Sequence, residues 1–141
     1  MDAALREAES HTGGVVPASV RFLRVMLALQ VALGLLWGVS MLFFARQIVL
    51  GEESDPHVEK IAMEGAAHLA LVFGAVLVWR APRRARDVLL LMVFLNGLWT
   101  LTDLVYIPLL GLSELDFYVK ALVNATLTVG LAAAGRRADV L

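Results

Sequence analysis

The sequence predicts an all-α integral membrane protein, a four-helix bundle of up-down-up-down topology with both termini in the cytoplasm. Three observations predict this fold class. Of the 141 residues, 60% are hydrophobic and the mean hydropathy is +0.77, which is too apolar for an ordinary soluble domain of this length. Four apolar runs are each long enough to cross a bilayer. The basic residues collect between alternate runs.

A membrane-spanning helix needs about 20 mainly apolar residues at roughly 1.5 Å rise each. Four segments meet this requirement, and Pro82 prevents the second from continuing. The predicted spans are residues 19–45, 57–79, 87–108 and 113–134. They form one transmembrane domain, residues 19–135, between a mobile cytoplasmic leader, residues 1–18, and a cytoplasmic tail, residues 136–141. The leader lacks the apolar stretch of a signal peptide, so span one is expected to be an uncleaved anchor.

Arginine placement orients these spans. Nine of the twelve basic residues fall before or in the first turns of span one, between spans two and three, or after span four: Arg6, Arg21, Arg24, Arg80, Arg83, Arg84, Arg86, Arg136 and Arg137. The positive-inside rule makes this side cytoplasmic and predicts a multi-pass membrane protein with both termini in the cytoplasm. Orientation and contact with lipid head groups explain these arginines without a specific anionic ligand. The net charge of −1 gives no sign of nucleic-acid binding.

The residue types exclude several kinds of chemistry. Without cysteine there is no disulfide framework, thiolate nucleophile or dithiol relay. His57 begins span two at the membrane surface, so His68 is the one histidine deep within a span. It cannot by itself supply a histidine-rich di-iron site or bis-histidine haem ligation within one chain. Zinc-hydrolase, serine-hydrolase and phosphate-loop motifs are absent. We therefore expect no metal and no cofactor, and we favour a non-enzymatic protein. The sequence identifies no catalytic residues.

Small residues at helical spacing predict close packing of the helices. Gly34 and Gly38 form a GxxxG motif, and Ala66, Ala70 and Gly74 repeat every four residues in span two. Such motifs also join helices of two chains. We favour packing within the chain, with a homo-oligomer through Gly34 and Gly38 as the alternative.

Polar side chains from all four spans lie at common depths. Counted at helical rise from the external ends, one tier lies about 9 to 11 Å down and a second lies some 5 to 10 Å deeper, with Gln30 a little below. Polar stripes in membrane helices normally face the interior or a wet cavity, which predicts a polar cleft open to the outside. The candidate ligand-binding residues are Glu64, His68, Asn96, Trp99, Asp103, Lys120, Asn124 and Trp37.

Lys120 is the expected partner of Asp103 or Glu64. Two carboxylates and one ammonium leave a surplus negative charge, which protonation of His68 or Glu64 would remove. A site with a shared proton is suited to proton transfer. A purely structural role explains the same residues, with an Asp103–Lys120 bridge that fixes helix register.

Residues 95–130, LNGLWTLTDLVYIPLLGLSELDFYVKALVNATLTVG, place an acidic residue before an aromatic near the end of span three and then a short loop into span four. This stretch resembles the small four-helix bacterial membrane proteins of the BphX-like and DoxX-like type. The resemblance implies a multi-pass bundle in the bacterial cytoplasmic (inner) membrane and, for some members, a link to oxidative or quinone metabolism. It offers no catalytic residues to carry over.

The expected function is binding of a lipidic or amphipathic small molecule, or of a partner helix, in the polar cleft. Membrane lipid and a lipidic molecule such as a quinone are the expected partners. One alternative is a small proton-coupled transporter with Glu64 and His68 as the relay. Another is a quinone-linked membrane redox protein in which Trp37 and Trp99 stack on the quinone ring.

Overall fold

The computed structural model describes residues 16–45, 55–109, 111 and 115–141. Arg6, most of the predicted leader and the loop between the first two helices lie outside these residues. The described chain folds into four helices, without strands, and so confirms the expected all-α class. The helices are α1 (Ala18–Phe43), α2 (Asp55–Arg80), α3 (Arg86–Leu109) and α4 (Leu115–Arg137).

All four helices are long and apolar enough to cross a membrane. Each also exposes large apolar side chains, for example Leu36, Phe73, Phe94 and Leu122, which are 61 to 69% exposed. Soluble proteins rarely present such continuous apolar surface to water, whereas hydrocarbon is its natural solvent. The chain is therefore a multi-pass membrane protein.

The helices pack as a ring around a side-chain interior. α1 packs on α2 and α3 on α4, and contacts of α1 with α4 and of α2 with α3 close the ring. In the described part of the chain, the diagonal pairs α1/α3 and α2/α4 have no close backbone approach. The start of α1 lies beside the end of α2, since the Arg24 guanidinium carbon is 5.7 Å from the Trp79 ring centroid. Only side chains can therefore bridge the diagonals.

The interior is apolar toward the end of the molecule that carries most of the described arginines, which we call the arginine end. Leu23, Leu27, Leu89, Met92 and Leu131 are each at most 2% exposed and belong to one continuous core. Burial of such side chains contributes about 1.5–3 kcal/mol each in water, but within lipid their tight packing matters more than transfer. This core closes the interior at the arginine end and leaves the polar residues in the other half.

Glycines set the close approach of α1 and α2. A Cβ on Gly65 would lie 2.7 Å from the Leu42 backbone nitrogen and 2.9 Å from the Gly38 carbonyl oxygen. Gly34 and Gly38 are both buried against α2 of the same chain. The alanine ridge expected for span two is wrong, because Ala66 and Ala70 are exposed. Gly65 precedes Ala66 by one residue, which turns the contacting face by about 100°.

The end of α4 lies beyond the predicted end of span four. The helix continues through Arg136 and Arg137, whose cationic side chains interact favourably with the carbonyl end of a helix. The backbone N–H groups of Val140 and Leu141 then donate to the Gly135 carbonyl at 2.9 and 3.3 Å. The last residues thus fold back on the helix end.

Candidate functional site

The half of the interior opposite the arginine end contains an ion pair across a diagonal. The Lys120 ammonium on α4 donates to Glu64 Oε1 on α2 at 2.6 Å, and each side chain is 28% exposed. The two side chains reach each other across the interior of the four-helix ring, because the backbones of α2 and α4 do not approach each other. The pair therefore stands at the partly open end of the polar interior.

Asp103 has a different partner from the one that the structural interpretation assumed. Its Oδ2 accepts a hydrogen bond from Asn124 Nδ2 at 3.2 Å, which joins α3 to α4. Of the two carboxylates expected for Lys120, the structure pairs it with Glu64. The Asp103–Lys120 bridge is therefore wrong, and an amide takes the place of the ammonium at Asp103.

A second diagonal contact lies deeper and joins α1 to α3. Asn96 Nδ2 donates to Gln30 Oε1 at 2.9 Å and to the Met92 carbonyl at 2.8 Å. Gln30 and Asn96 are each 1% exposed. Helical rise places Gln30 below the polar tiers, and Gln30 is not among the predicted ligand-binding residues. The signal that could have found it is its type, because an amide inside a membrane helix needs a partner.

His68 lies between two tryptophans. Its ring centroid is 4.5 Å from that of Trp99 on α3 and 5.7 Å from that of Trp37 on α1, with the planes tilted by 39° and 54°. The side chain is 2% exposed. Aromatic contacts at these distances are favourable and also exclude solvent. The imidazole is therefore held by three helices, one helical turn from Glu64.

Three buried polar atoms have no hydrogen-bond partner among the described residues: His68 Nε2, Asn96 Oδ1 and Asn124 Oδ1. The orientation of both amides is fixed, because each Nδ2 faces an acceptor oxygen. Buried polar atoms are nearly always paired, and leaving one unpaired costs about 1–3 kcal/mol. Since an amide oxygen only accepts, a group that satisfies the two asparagines must donate hydrogen bonds.

The eight candidate residues thus fall into small groups. The structure brings together Glu64 with Lys120, Asp103 with Asn124, and His68 with both tryptophans, whereas Asn96 pairs with Gln30. The described residues contain no cluster of three His, Cys, Asp or Glu side chains that could hold a metal ion. The chemistry available is hydrogen bonding, ion pairing and aromatic contact.

Comparison of the chain with known family models, with curated proteins and with solved structures finds no match. The assignment of function therefore rests on the geometry and chemistry of the polar interior.

Proposed function

We propose that this chain is a non-enzymatic protein of the bacterial cytoplasmic membrane that binds the polar head of a lipidic or amphipathic small molecule. The binding site is the polar half of the interior, open toward the outside of the cell. The proposal includes the up-down-up-down topology with both termini in the cytoplasm. Its support is the positive-inside rule, since Arg24 near the start of α1, Arg80 at the end of α2 and Arg137 at the end of α4 belong to one side.

The observation that carries the proposal is the set of unpartnered atoms on His68, Asn96 and Asn124, each residue at most 2% exposed. A head group with hydroxyl groups would satisfy the two amide oxygens by donating to them. The histidine nitrogen can donate or accept, depending on its tautomer. A quinol, with two hydroxyls, fits this set better than a quinone, whose carbonyl oxygens only accept.

An amphipathic ligand also suits the surroundings of the site. The Glu64–Lys120 pair is partly exposed and lies one turn above His68, so a polar head could pass it from the water side. The apolar tail of the ligand would leave the interior between two helices and pack on the exposed apolar side chains that face lipid. A homo-oligomer through Gly34 and Gly38 would require both glycines to leave their contacts with α2.

The test compares co-purifying molecules in three proteins purified in mild detergent: wild type, Asn124→Leu and the control Thr126→Val. Asn124→Leu removes the buried acceptor, whereas Thr126 is exposed and its hydroxyl donates to the Leu122 carbonyl of its own helix. Mass spectrometry and absorbance of the extracts should find one hydroxyl-bearing lipidic molecule, at about one per chain, in wild type and control.

The proposal expects loss of that molecule from Asn124→Leu with the protein still monodisperse. If all three proteins carry only bulk lipid in the same proportions, the polar interior serves helix association and the proposal is wrong. A second acceptor variant, Asn96→Leu, separates loss of binding from a local effect at Asn124, because the two residues lie on different helices.

A proton-coupled transporter is the second candidate, and one observation favours it. Glu64 of the ion pair lies one helical turn from His68 on α2, and His68 Nε2 has no partner among the described residues. Titratable groups in such succession can pass a proton. Proteoliposomes with an imposed pH gradient would then show a proton flux that Glu64→Gln abolishes, and the absence of any flux in wild type would contradict this candidate.

A further inference from the structure

A pocket lies at the arginine end, remote from the polar half of the interior. It has a volume of about 550 Å³, within the range typical of small-molecule sites. Arg80, Arg83 and Arg84 supply its charged rim. Val20 and Leu23 of α1 and Val140 of the C-terminal turn supply an apolar wall. The pocket thus combines cationic and apolar surfaces.

The apolar wall continues into the molecule. A smaller pocket of about 110 Å³ shares Val20, Leu23 and Arg80 with the first, and it extends to Leu27 and Val78. Leu23, Leu27 and Val78 belong to the buried core. A ligand with its charge at the rim could therefore place a short apolar segment toward the core.

No carboxylate in the described part of the chain forms an ion pair with the arginines of the rim. Within the described part of the chain, the ion pair between Glu64 and Lys120 is the only one, and it lies in the other half of the molecule. Asp139 stands between two residues that line the pocket, but it forms no ion pair with an arginine of the described chain. Three guanidinium groups at one pocket therefore keep their capacity to bind an anion.

The rim is also held in place. Arg80 ends α2, and the turn that follows is closed by a hydrogen bond from the Ala85 N–H to the Ala81 carbonyl at 2.9 Å. Pro82 restricts the backbone of that turn. The backbone of Arg83 and Arg84 is therefore constrained before any ligand binds, which lowers the conformational entropy lost on binding.

We infer that this pocket binds the head group of an anionic phospholipid, with the phosphate between Arg80, Arg83 and Arg84 and the adjoining hydrocarbon on Val20 and Leu23. Guanidinium groups match phosphate oxygens in bidentate geometry. Basic pockets between membrane helices are typical sites for anionic head groups. The apolar wall favours a lipid over free phosphate, since inorganic phosphate would gain nothing from it. This site is independent of the ligand proposed for the polar interior.

Native mass spectrometry of delipidated protein in mild detergent tests the inference. The probes are phosphatidylglycerol, phosphatidylcholine and inorganic phosphate, each added at equal concentration. Wild type should bind one phosphatidylglycerol at least tenfold more tightly than phosphatidylcholine and should show no comparable binding of inorganic phosphate. Equal affinity for the two lipids, or inorganic phosphate binding as tightly as phosphatidylglycerol, would overturn the inference.

Two double variants with the same change of charge localise the site. Arg83→Gln with Arg84→Gln should weaken phosphatidylglycerol binding roughly thirtyfold, since each arginine near an anionic head group contributes a factor of about five. Arg86→Gln with Arg136→Gln removes two charges that do not line the pocket, and it should change binding less than threefold. Equal losses in the two variants would show a diffuse charge effect and contradict a site.

A charge-conserving variant covers the case in which the glutamine variant does not fold. Arg83→Lys with Arg84→Lys keeps the positive charge but loses the planar fork of the guanidinium group. Binding of phosphatidylglycerol should fall at least threefold while monodispersity stays at the wild-type level. Unchanged binding in the lysine variant would mean that the guanidinium geometry is not used, and it would count against the inference.

Discussion

Lys120 and Glu64 meet at 2.6 Å across two helices, α4 and α2, whose described backbones do not approach each other. Gln30 and Asn96 do the same at 2.9 Å across the other diagonal, from α1 to α3. The neighbouring helices pack through small and apolar residues, and Asp103 and Asn124 add a hydrogen bond between α3 and α4. The two polar contacts across the diagonals link helices that are not neighbours. The two crossing contacts therefore tie all four helices into one unit.

Breaking the ion pair should destabilise the protein modestly. Glu64→Gln or Lys120→Met leaves one charge without its partner in a partly buried position, and we expect each to lower the free energy of unfolding by about 1 kcal/mol. The double variant should lose less than the sum, with a coupling of roughly 0.5–1 kcal/mol. Thermal unfolding of wild type, both single variants and the double variant in one detergent measures these effects.

The control is the same double-mutant cycle at the exposed residues Glu59 and Lys60. Strictly additive effects at Glu64 and Lys120 would contradict an interaction between the two side chains.

The amide pair should behave differently from the ion pair. Asn96→Leu leaves Gln30 Oε1 buried without its donor, at an expected cost of about 1–2 kcal/mol. Adding Gln30→Leu removes the unsatisfied group, so the double variant should recover much of the loss. The same unfolding assay measures both proteins. A double variant less stable than Asn96→Leu would show that the unsatisfied Gln30 oxygen is not what matters at this diagonal.

Adding one methyl group at Gly65 should disrupt the contact of α1 and α2. The new Cβ of Gly65→Ala would lie under 3 Å from backbone atoms of Leu42 and Gly38, which cannot move independently of α1. We expect a loss of about 2–3 kcal/mol or failure to fold. Gly97→Ala is the matched control, because its Cβ would lie 3.4 Å from the Thr128 Cγ2 methyl, an ordinary contact. Equal stability of the two variants in detergent would refute the close approach at Gly65.

Labelling of single introduced cysteines can determine which side of the membrane each helix end faces, since the sequence contains no native cysteine. Pro17→Cys lies just before α1 and Leu115→Cys at the start of α4, both exposed. In intact bacterial cells, a membrane-impermeant maleimide should label Leu115→Cys and leave Pro17→Cys unlabelled until the cells are lysed. The reverse pattern would place the arginine end outside and would invert the orientation proposed for the polar interior.

The number of helices could be predicted from the sequence because the thickness of a bilayer dictates the length of an apolar span. The depth of the polar residues followed from the constant rise of a helix. Depth limits the partner of Lys120 to Glu64 or Asp103 but does not decide between them, because it leaves the rotation of each helix about its axis undetermined. For the same reason the packing face of α2 was assigned to Ala66, whereas Gly65, one residue earlier, makes the contact. Gln30 is absent from the predicted site because helical rise places it below the polar tiers, although its side chain reaches Asn96 on α3.

The positions of the tryptophans give the molecule its own optical probes. The chain contains three, and two of them, Trp37 and Trp99, border the His68 ring. The third, Trp79, lies beneath the Arg24 guanidinium at the opposite end, beside the arginine-rimmed pocket. Indole emission responds to the polarity and charge around the ring. A variant that retains only Trp79 would therefore report ligand binding at the arginine end of the molecule, and a variant that retains only Trp37 and Trp99 would report binding in the polar half. Neither variant needs an attached dye.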